Sequence, residues 1–436
     1  MARMLMTVRG AVAAESHSGS VSWVLPHEHL IHRISKRLTH AQSPPIAGAT
    51  DASKIGDEIQ MDQLHELRMN PSAYGGRNLI MEREDEVFRE VEALTTFQPG
   101  VGVVVDVTTV SEGRDLAKLR RLAERLQCHV VASTSYDEHA IKTLPGDLII
   151  EAKAERVAKT LETELMFGVE GTDPNVNAGV IYQQIHLDSS RDVLLDEVLA
   201  RGLAMVQANT TVPVYLSFSS AESTQQASSQ RILDWIDALI KANATPQRIV
   251  ICHADHWCDN IAFLVELGRR GVMLSFDAIG LYTVSDVSLT SPSLDRDSSE
   301  PPRDSTIARA IASLINNHGL TQQLLVSTNV TLRTQFQRYG GGGYAYLFRH
   351  FKGRLAEDFG VTEAHWTQIV RDNALGLLTW YTPPEAAAIP KHFLLCSICK
   401  KPFEPIVGEY FTKFQFIYCG TKCLRKHSKL GFQPLE

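Results

Sequence analysis

Seven positions in this chain of 436 residues have side chains and spacings that suit metal chemistry. His27 and His29 are separated by one residue in Leu25-Pro26-His27-Glu28-His29. On an extended strand both imidazoles lie on one face and can reach one ion. His253, in Ile251-Cys252-His253-Ala254-Asp255, supplies a third imidazole. Three neutral imidazoles and a water form a catalytic zinc set, with Asp255 or Asp277 as the candidate base. Around His253, the spacing of Cys252, His256 and Cys258 is unlike a metal knuckle, and no soft site is expected there. The remaining four positions are Cys396-x2-Cys399 and, nineteen residues later, Cys419-x3-Cys423. Two close thiol pairs wrap one tetrahedral zinc, and a segment of about forty residues folds poorly without such a staple. His427 is expected at the surface of the terminal helix.

These groups need a scaffold, and the hydropathy pattern describes one. Short apolar, β-branched runs recur as SVSWVLP, VGVVVDVTT, CHVVAST, AGVIYQQI, VPVYLSF, RIVICHA, GVMLSFD and QLLVST. Helix-period segments such as LAKLRRLAERL and RILDWIDALIKA lie between them. Runs that are apolar throughout belong to strands covered on both faces, and eight of them alternating with helices predict an α/β fold, a parallel (β/α)8 TIM barrel. The barrel is assigned to residues 1–382, a Pro/Ala-rich linker to 383–393, and a small treble-clef-like zinc finger to 394–436. Two insertions, residues 30–100 and 283–304, fall where a barrel builds its C-terminal face. Gly113-Arg114-Asp115 and the run Gly340 to Gly343 read as architectural turns, since no Gly-Lys-Ser/Thr follows the glycines.

The order of these motifs, from TVRGAVAAES and VLPHEHL through CHAD and LSFDAIG to YGGGGYAYLFRHFKGRLAEDFGVTE, resembles the phosphotriesterase family of the amidohydrolase superfamily over about residues 6–381. The resemblance implies a barrel holding two divalent metals and hydrolysing phosphoesters, lactones or related bonds. It implies ligands from a strand-one His-x-His, a bridging Lys or Glu on strand four, one His on each of strands five and six, and an Asp on strand eight. His27, His29 and His253 match. The bridging position falls at Gln183, with Tyr182 the neighbouring register; the strand-five position is Ser217 and the strand-eight position Asn329. With these ligands uncharged, two dications are not expected to be held in a partly dry pocket. The tail resembles the TRASH and FCS type of treble clef.

Charge separates the same two modules. Lys and Arg total 43 against 50 Asp and Glu, a net of −7. Residues 391–436 carry eight basic and three acidic residues, +5, which leaves 35 basic against 47 acidic residues, −12, in the rest. A barrel at −12 disfavours nucleic acid as a partner. A protein partner is expected through the finger or loop 283–304, and pairing of two barrels into a homodimer is compatible with the family. No run of eighteen apolar residues exists and no secretory leader is read, so the expectation is a cytoplasmic protein without a membrane segment. Two functions follow: a pseudoenzyme scaffold with one structural zinc in the finger, or a mononuclear zinc hydrolase of phosphoester, lactone or amide bonds with a second zinc on His27, His29 and His253.

Overall fold

The computed structural model describes residues 3–16, 19–34, 58–169, 171–172, 175–187, 192–219, 225–281, 302–382, 394–399, 402–403, 405 and 410–433. The eight expected strands form: β1 (Gly19–Glu28), β2 (Val101–Asp106), β3 (Cys128–Thr134), β4 (Val180–His186), β5 (Val214–Ser219), β6 (Ile249–Ile251), β7 (Met273–Phe276) and β8 (Leu324–Val326). Each pairs in parallel with its neighbour in chain order. Helices follow the strands in alternation: α1 (Glu84–Phe97), α2 (Leu116–Arg125), α3 (Ile150–Met166), α4 (Val193–Thr210), α5 (Gln225–Lys241), α6 (Ile261–Arg269), α7 (Asp304–Asn316) and α8 (Lys352–Phe359). The β-branched runs are explained by burial on both faces. Val103, Val105, Val131, Val180, Tyr182 and Tyr215 fill the interior, while Val104, Val130, Ile181 and Leu216 pack outward under the helices.

The seam between β8 and β1 is held by a side chain. Glu28 is fully buried and accepts hydrogen bonds from Ser327 Oγ, Thr328 N and Thr328 Oγ1, each at 2.7 Å, and from Val330 N at 2.9 Å. The carboxylate between the two metal-motif histidines is therefore part of the scaffold. Burial pushes its pKa up, and the four donors pull it back. Glu28→Leu strands these donors at about 1–3 kcal/mol each, some rescued by water. The expected loss of stability is roughly 3–6 kcal/mol, read as a lower urea midpoint at unchanged slope.

Local chemistry places the other turns. Gly113, in the left-handed region at φ +86°, lies against the Arg33 backbone, where a Cβ would approach Arg33 N to 3.1 Å. Asp115 caps α2 by accepting from Lys118 N at 2.9 Å, and Arg114 donates to Ser133 O at 2.6 Å. At the glycine run, Gly340 and Gly343 have φ of +79° and +59°, and a Cβ on Gly341 would collide with the Gln335 carbonyl. The insertion after β1 is anchored to the loop after β8: Glu86 on α1 pairs with Arg333 at 2.9 Å and accepts from Tyr339 Oη at 2.6 Å. Within that insertion residues 35–57 lie outside the described residues, as do 283–301 of the second insertion and the linker 383–393.

The chain divides into two compact units, Met1–Tyr381 and Thr382–Glu436. In the second, Leu394–Leu395 pairs with Pro402–Phe403, Phe411–Lys413 pairs with Phe416–Tyr418, and a helix runs from Thr421 to Lys429. No helix among the described residues is long and apolar enough to cross a membrane.

Candidate active site

The C-terminal ends of the strands bring together His27, His29 and His253, as their spacing predicts. The His27 ring centroid is 6.0 Å from that of His29 and 5.0 Å from that of His253. All three are buried. Asp277, at the end of β7, organises them: Oδ1 meets His253 Nδ1 at 2.6 Å, and Oδ2 lies 3.1 Å from His27 Nδ1. The Oδ2 atom also accepts from the His253 backbone N at 3.1 Å. A carboxylate on one ring nitrogen fixes the tautomer and leaves the lone pair on the other, the arrangement found behind metal-binding histidines.

Burial would raise the Asp277 pKa, but the two imidazoles outweigh it and hold the carboxyl well below the usual range. Burial pulls the His253 imidazole down, and Asp277 more than reverses this. His29, desolvated and beside other imidazoles, is pulled down to about 3 despite the charge of Glu112, and is neutral as a ligand must be. Two non-glycine residues at this mouth adopt left-handed backbone, His253 at φ 57° and Asn329 at φ 45°. Such strain persists where surrounding structure enforces it, commonly at working sites.

The two candidate bases separate. Asp255 Oδ1 accepts from Asp277 N at 3.0 Å and Ala278 N at 3.3 Å, stapling the turn after β6 to that after β7. Burial and the charge of Asp277 push its pKa up to about 7, and its Oδ2 has no hydrogen-bond partner. Asp277 is the carboxylate that touches both imidazoles.

Register on β4 differs from the expectation. Gln183 points away from the interior: its Oε1 accepts from Tyr136 N at 3.1 Å and its Nε2 donates to Tyr136 O at 3.3 Å. Tyr182 faces inward, 5.6 Å from the His27 ring, a phenol that burial keeps protonated. Ser217, two residues from the inward Tyr215, shares its face and is buried at the mouth. Asn329 is buried there too, with Oδ1 unpartnered.

Three contributors lie outside the expected set. Glu112, in the loop after β2, accepts from Thr109 N at 2.8 Å and from Gln184 Nε2 at 3.1 Å, and its charge bears on His29, His32 and His253. In sequence it reads as the glutamate of a Thr-x-x-Glu capping box, which conceals its electrostatic reach. His32 is fully buried, 5.7 Å from the His29 ring, with both ring nitrogens lacking hydrogen-bond partners. Cys252 lies in the barrel interior, where its thiol, a His27 nitrogen and an Asp277 oxygen all fall within 4.8 Å of one another. Cys258 packs in the layer between strands and helices, so Cys252 and Cys258 do not share a site. The interior is thus not neutral: buried carboxylates at Asp277, Asp255 and Glu112 face the imidazoles.

In the C-terminal unit the thiols of Cys396, Cys399, Cys419 and Cys423 lie within 4.8 Å of one another, unbridged, as a structural zinc requires. Burial opposes the Cys396 thiolate, but backbone N–H groups of Cys399, Cys419 and Ile398 bring it down to about 6. His427 is fully buried rather than at the surface. Its Nδ1 pairs with Tyr418 Oη at 2.9 Å and its Nε2 with Gln433 O at 2.7 Å, so it locks the helix to the hairpin and the chain end.

Comparison with known proteins agrees with this architecture. The model of the phosphotriesterase family matches residues 4–378, and that of the Vms1-associating treble clef domain matches residues 391–435. The chain belongs to the phosphotriesterase family. Its tail is a treble clef of the Vms1-associating kind. The N-acetyltaurine hydrolase of Tetraodon nigroviridis is 25% identical over 385 residues, covering 86% of this chain and 98% of that protein. A resiniferatoxin-binding protein from Rhodobacter sphaeroides superposes with a TM-score of 0.69 at 24% identity, covering 86% and 94% of the two chains. A lactonase from Listeria monocytogenes does so at 0.58 and 17%, covering 87% and 100%.

Proposed function

We propose that the barrel is a hydrolase of acyl bonds, amide or lactone, that works with one divalent metal ion. The observation that carries this reading is the buried cluster around His27. His27, fully enclosed, has Nδ1 3.1 Å from Asp277 Oδ2 and Nε2 without a hydrogen-bond partner, and a buried polar group left unpaired costs about 1–3 kcal/mol. An ion held there gives the cluster a partner, so the residues fit the group that the family implies. When bound, the metal polarises the scissile carbonyl and lowers the pKa of water.

The chain's own residues do the rest. Asp277 orients His253 and His27, its two oxygens in contact with a ring nitrogen of each. Asp255 Oδ1 holds the turn after β7 while its Oδ2 stands 3.8 Å from His256 Nε2, a second buried carboxylate beside the imidazoles. Glu112 supplies negative charge across the mouth from Asp277 and is braced by Thr109 and Gln184. Relatives named N-acetyltaurine hydrolase support an N-acyl amide as the substrate class, and the lactonase likeness supports the ester alternative only at the level of fold.

A second reading, a barrel that binds without turnover, is favoured by Tyr182, Ser217 and Asn329, all uncharged where the resemblance expects ligands. Incubating full-length protein loaded with zinc or manganese with N-acetyltaurine, N-acyl amino acids and γ-lactones separates the two. Turnover abolished by a chelator is the expected result. A metal-replete protein with no turnover above buffer across this panel establishes the binding-only reading.

A further inference from the structure

Only part of the ligand set implied by the resemblance is present, yet three potential ligand atoms from three strand ends converge in the barrel. A His27 nitrogen, Cys252 Sγ and an Asp277 oxygen lie within 4.8 Å of one another, and each residue is at most 4% exposed. Cys252 is fixed in register by its own N–H, which donates to Leu216 O at 2.9 Å. A purely structural cysteine behaves as a small hydrophobe, whereas this thiol faces an imidazole and a carboxylate. The two oxygens of Asp277 already divide their work. Oδ1 holds His253 Nδ1 at 2.6 Å, while Oδ2 accepts from the His253 backbone N at 3.1 Å and stands 3.1 Å from His27 Nδ1. That separation is close to the ~3.3 Å expected between two ligand atoms each ~2.0–2.1 Å from one tetrahedral ion.

We infer that the barrel's metal site is a mixed-donor site made by His27, Cys252 and Asp277, taking a single borderline-soft divalent ion such as zinc, with a fourth position left for water or substrate. The charge balances: thiolate and carboxylate together offset the dication, which three imidazoles alone would not. Binding releases the Cys252 thiol proton to solvent. Asp277 Oδ1 stays on His253, which becomes a neighbour held beside the ion.

The inference rests on the single-metal reading of the barrel, and its test separates the two. Full-length protein carrying Cys396→Ser, Cys399→Ser, Cys419→Ser and Cys423→Ser, which removes every thiol of the finger, is loaded with cobalt(II) and examined for metal content and absorption. About one cobalt per chain with a thiolate-to-cobalt charge-transfer band is expected. Adding Cys252→Ser should remove the band and lower affinity at least tenfold, whereas adding Cys258→Ser should change neither. One bound cobalt without the band overturns the mixed-donor site and leaves the single-metal reading standing. No bound cobalt overturns both. The spectrum with native Cys252 needs no barrel substitution, so a folding defect in Cys252→Ser cannot hide the answer.

Discussion

Cys396→Ser in the full-length chain is expected to release the finger's zinc and unfold the C-terminal unit while the barrel keeps its own transition. Among its described residues the unit has little else to hold it. Its strands are two or three residues long, its helix nine, and among its described residues only Cys396, Tyr418 and His427 are buried. Lys413, 4.4 Å from the Phe432 ring centroid, and the exposed Phe414 contribute at the surface. Zinc binding in comparable small modules supplies an apparent ~10–16 kcal/mol at neutral pH, well above anything such a core provides. The checks are zinc content and limited proteolysis: the segment from residue 394 onward should become cleavable at a rate at least a hundredfold higher, and a strong chelator should reproduce this in the unsubstituted protein. Protection of Thr421–Lys429 that survives loss of zinc contradicts the expectation, and would mean that the Tyr418–His427–Gln433 lock holds the fold.

How far the sequence reaches differs between scaffold and site. Strands such as Val101–Asp106 are legible because burial on both faces requires a run of β-branched residues, and that requirement is local. The seam is not legible, because it depends on Glu28 meeting Ser327, Thr328 and Val330 some 300 positions away. In β4 the alternation that should reveal register is blurred. Val180-Ile181-Tyr182-Gln183-Gln184 mixes apolar and polar side chains on both faces, and Gln183 is tolerated on the outer face because the backbone of Tyr136 satisfies its amide. His27, His29 and His253 are legible as imidazoles at strand ends. Cys252 is not, since a cysteine after an apolar strand looks like core until Asp277 and His27 are seen across from it. His427 misleads for the opposite reason: the charged helix around it suggests solvent, whereas its ring is enclosed by Phe416, Tyr418 and Phe432.

Asp277→Asn is expected to reduce barrel metal affinity by about 10–100-fold and turnover by a further ~10-fold or more. The substitution is nearly isosteric and retains an oxygen that can accept from the His253 backbone N, so the fold should survive, with an unchanged circular dichroism spectrum. What it removes is negative charge from between two imidazoles. With a carboxylate there, His253 carries its proton on Nδ1 at a contact of 2.6 Å, keeping the lone pair on Nε2. An amide offers no charge, and with its oxygen kept on the His253 backbone N its NH2 group faces His253 Nδ1, where it can only donate; this forces the ring proton onto Nε2 and takes that lone pair out of use. A residue that merely packed the core would move the unfolding midpoint and leave kcat, KM and metal affinity in proportion. Here the prediction is the reverse: a small change in urea midpoint, a large fall in metal affinity, and a loss in kcat that saturating metal does not restore. Recovery of full activity at high metal would show that Asp277 contributes only to holding the ion. Unaltered metal content and turnover in the variant would remove the carboxylate from the site and, with it, the physical basis for reading the barrel as a working hydrolase.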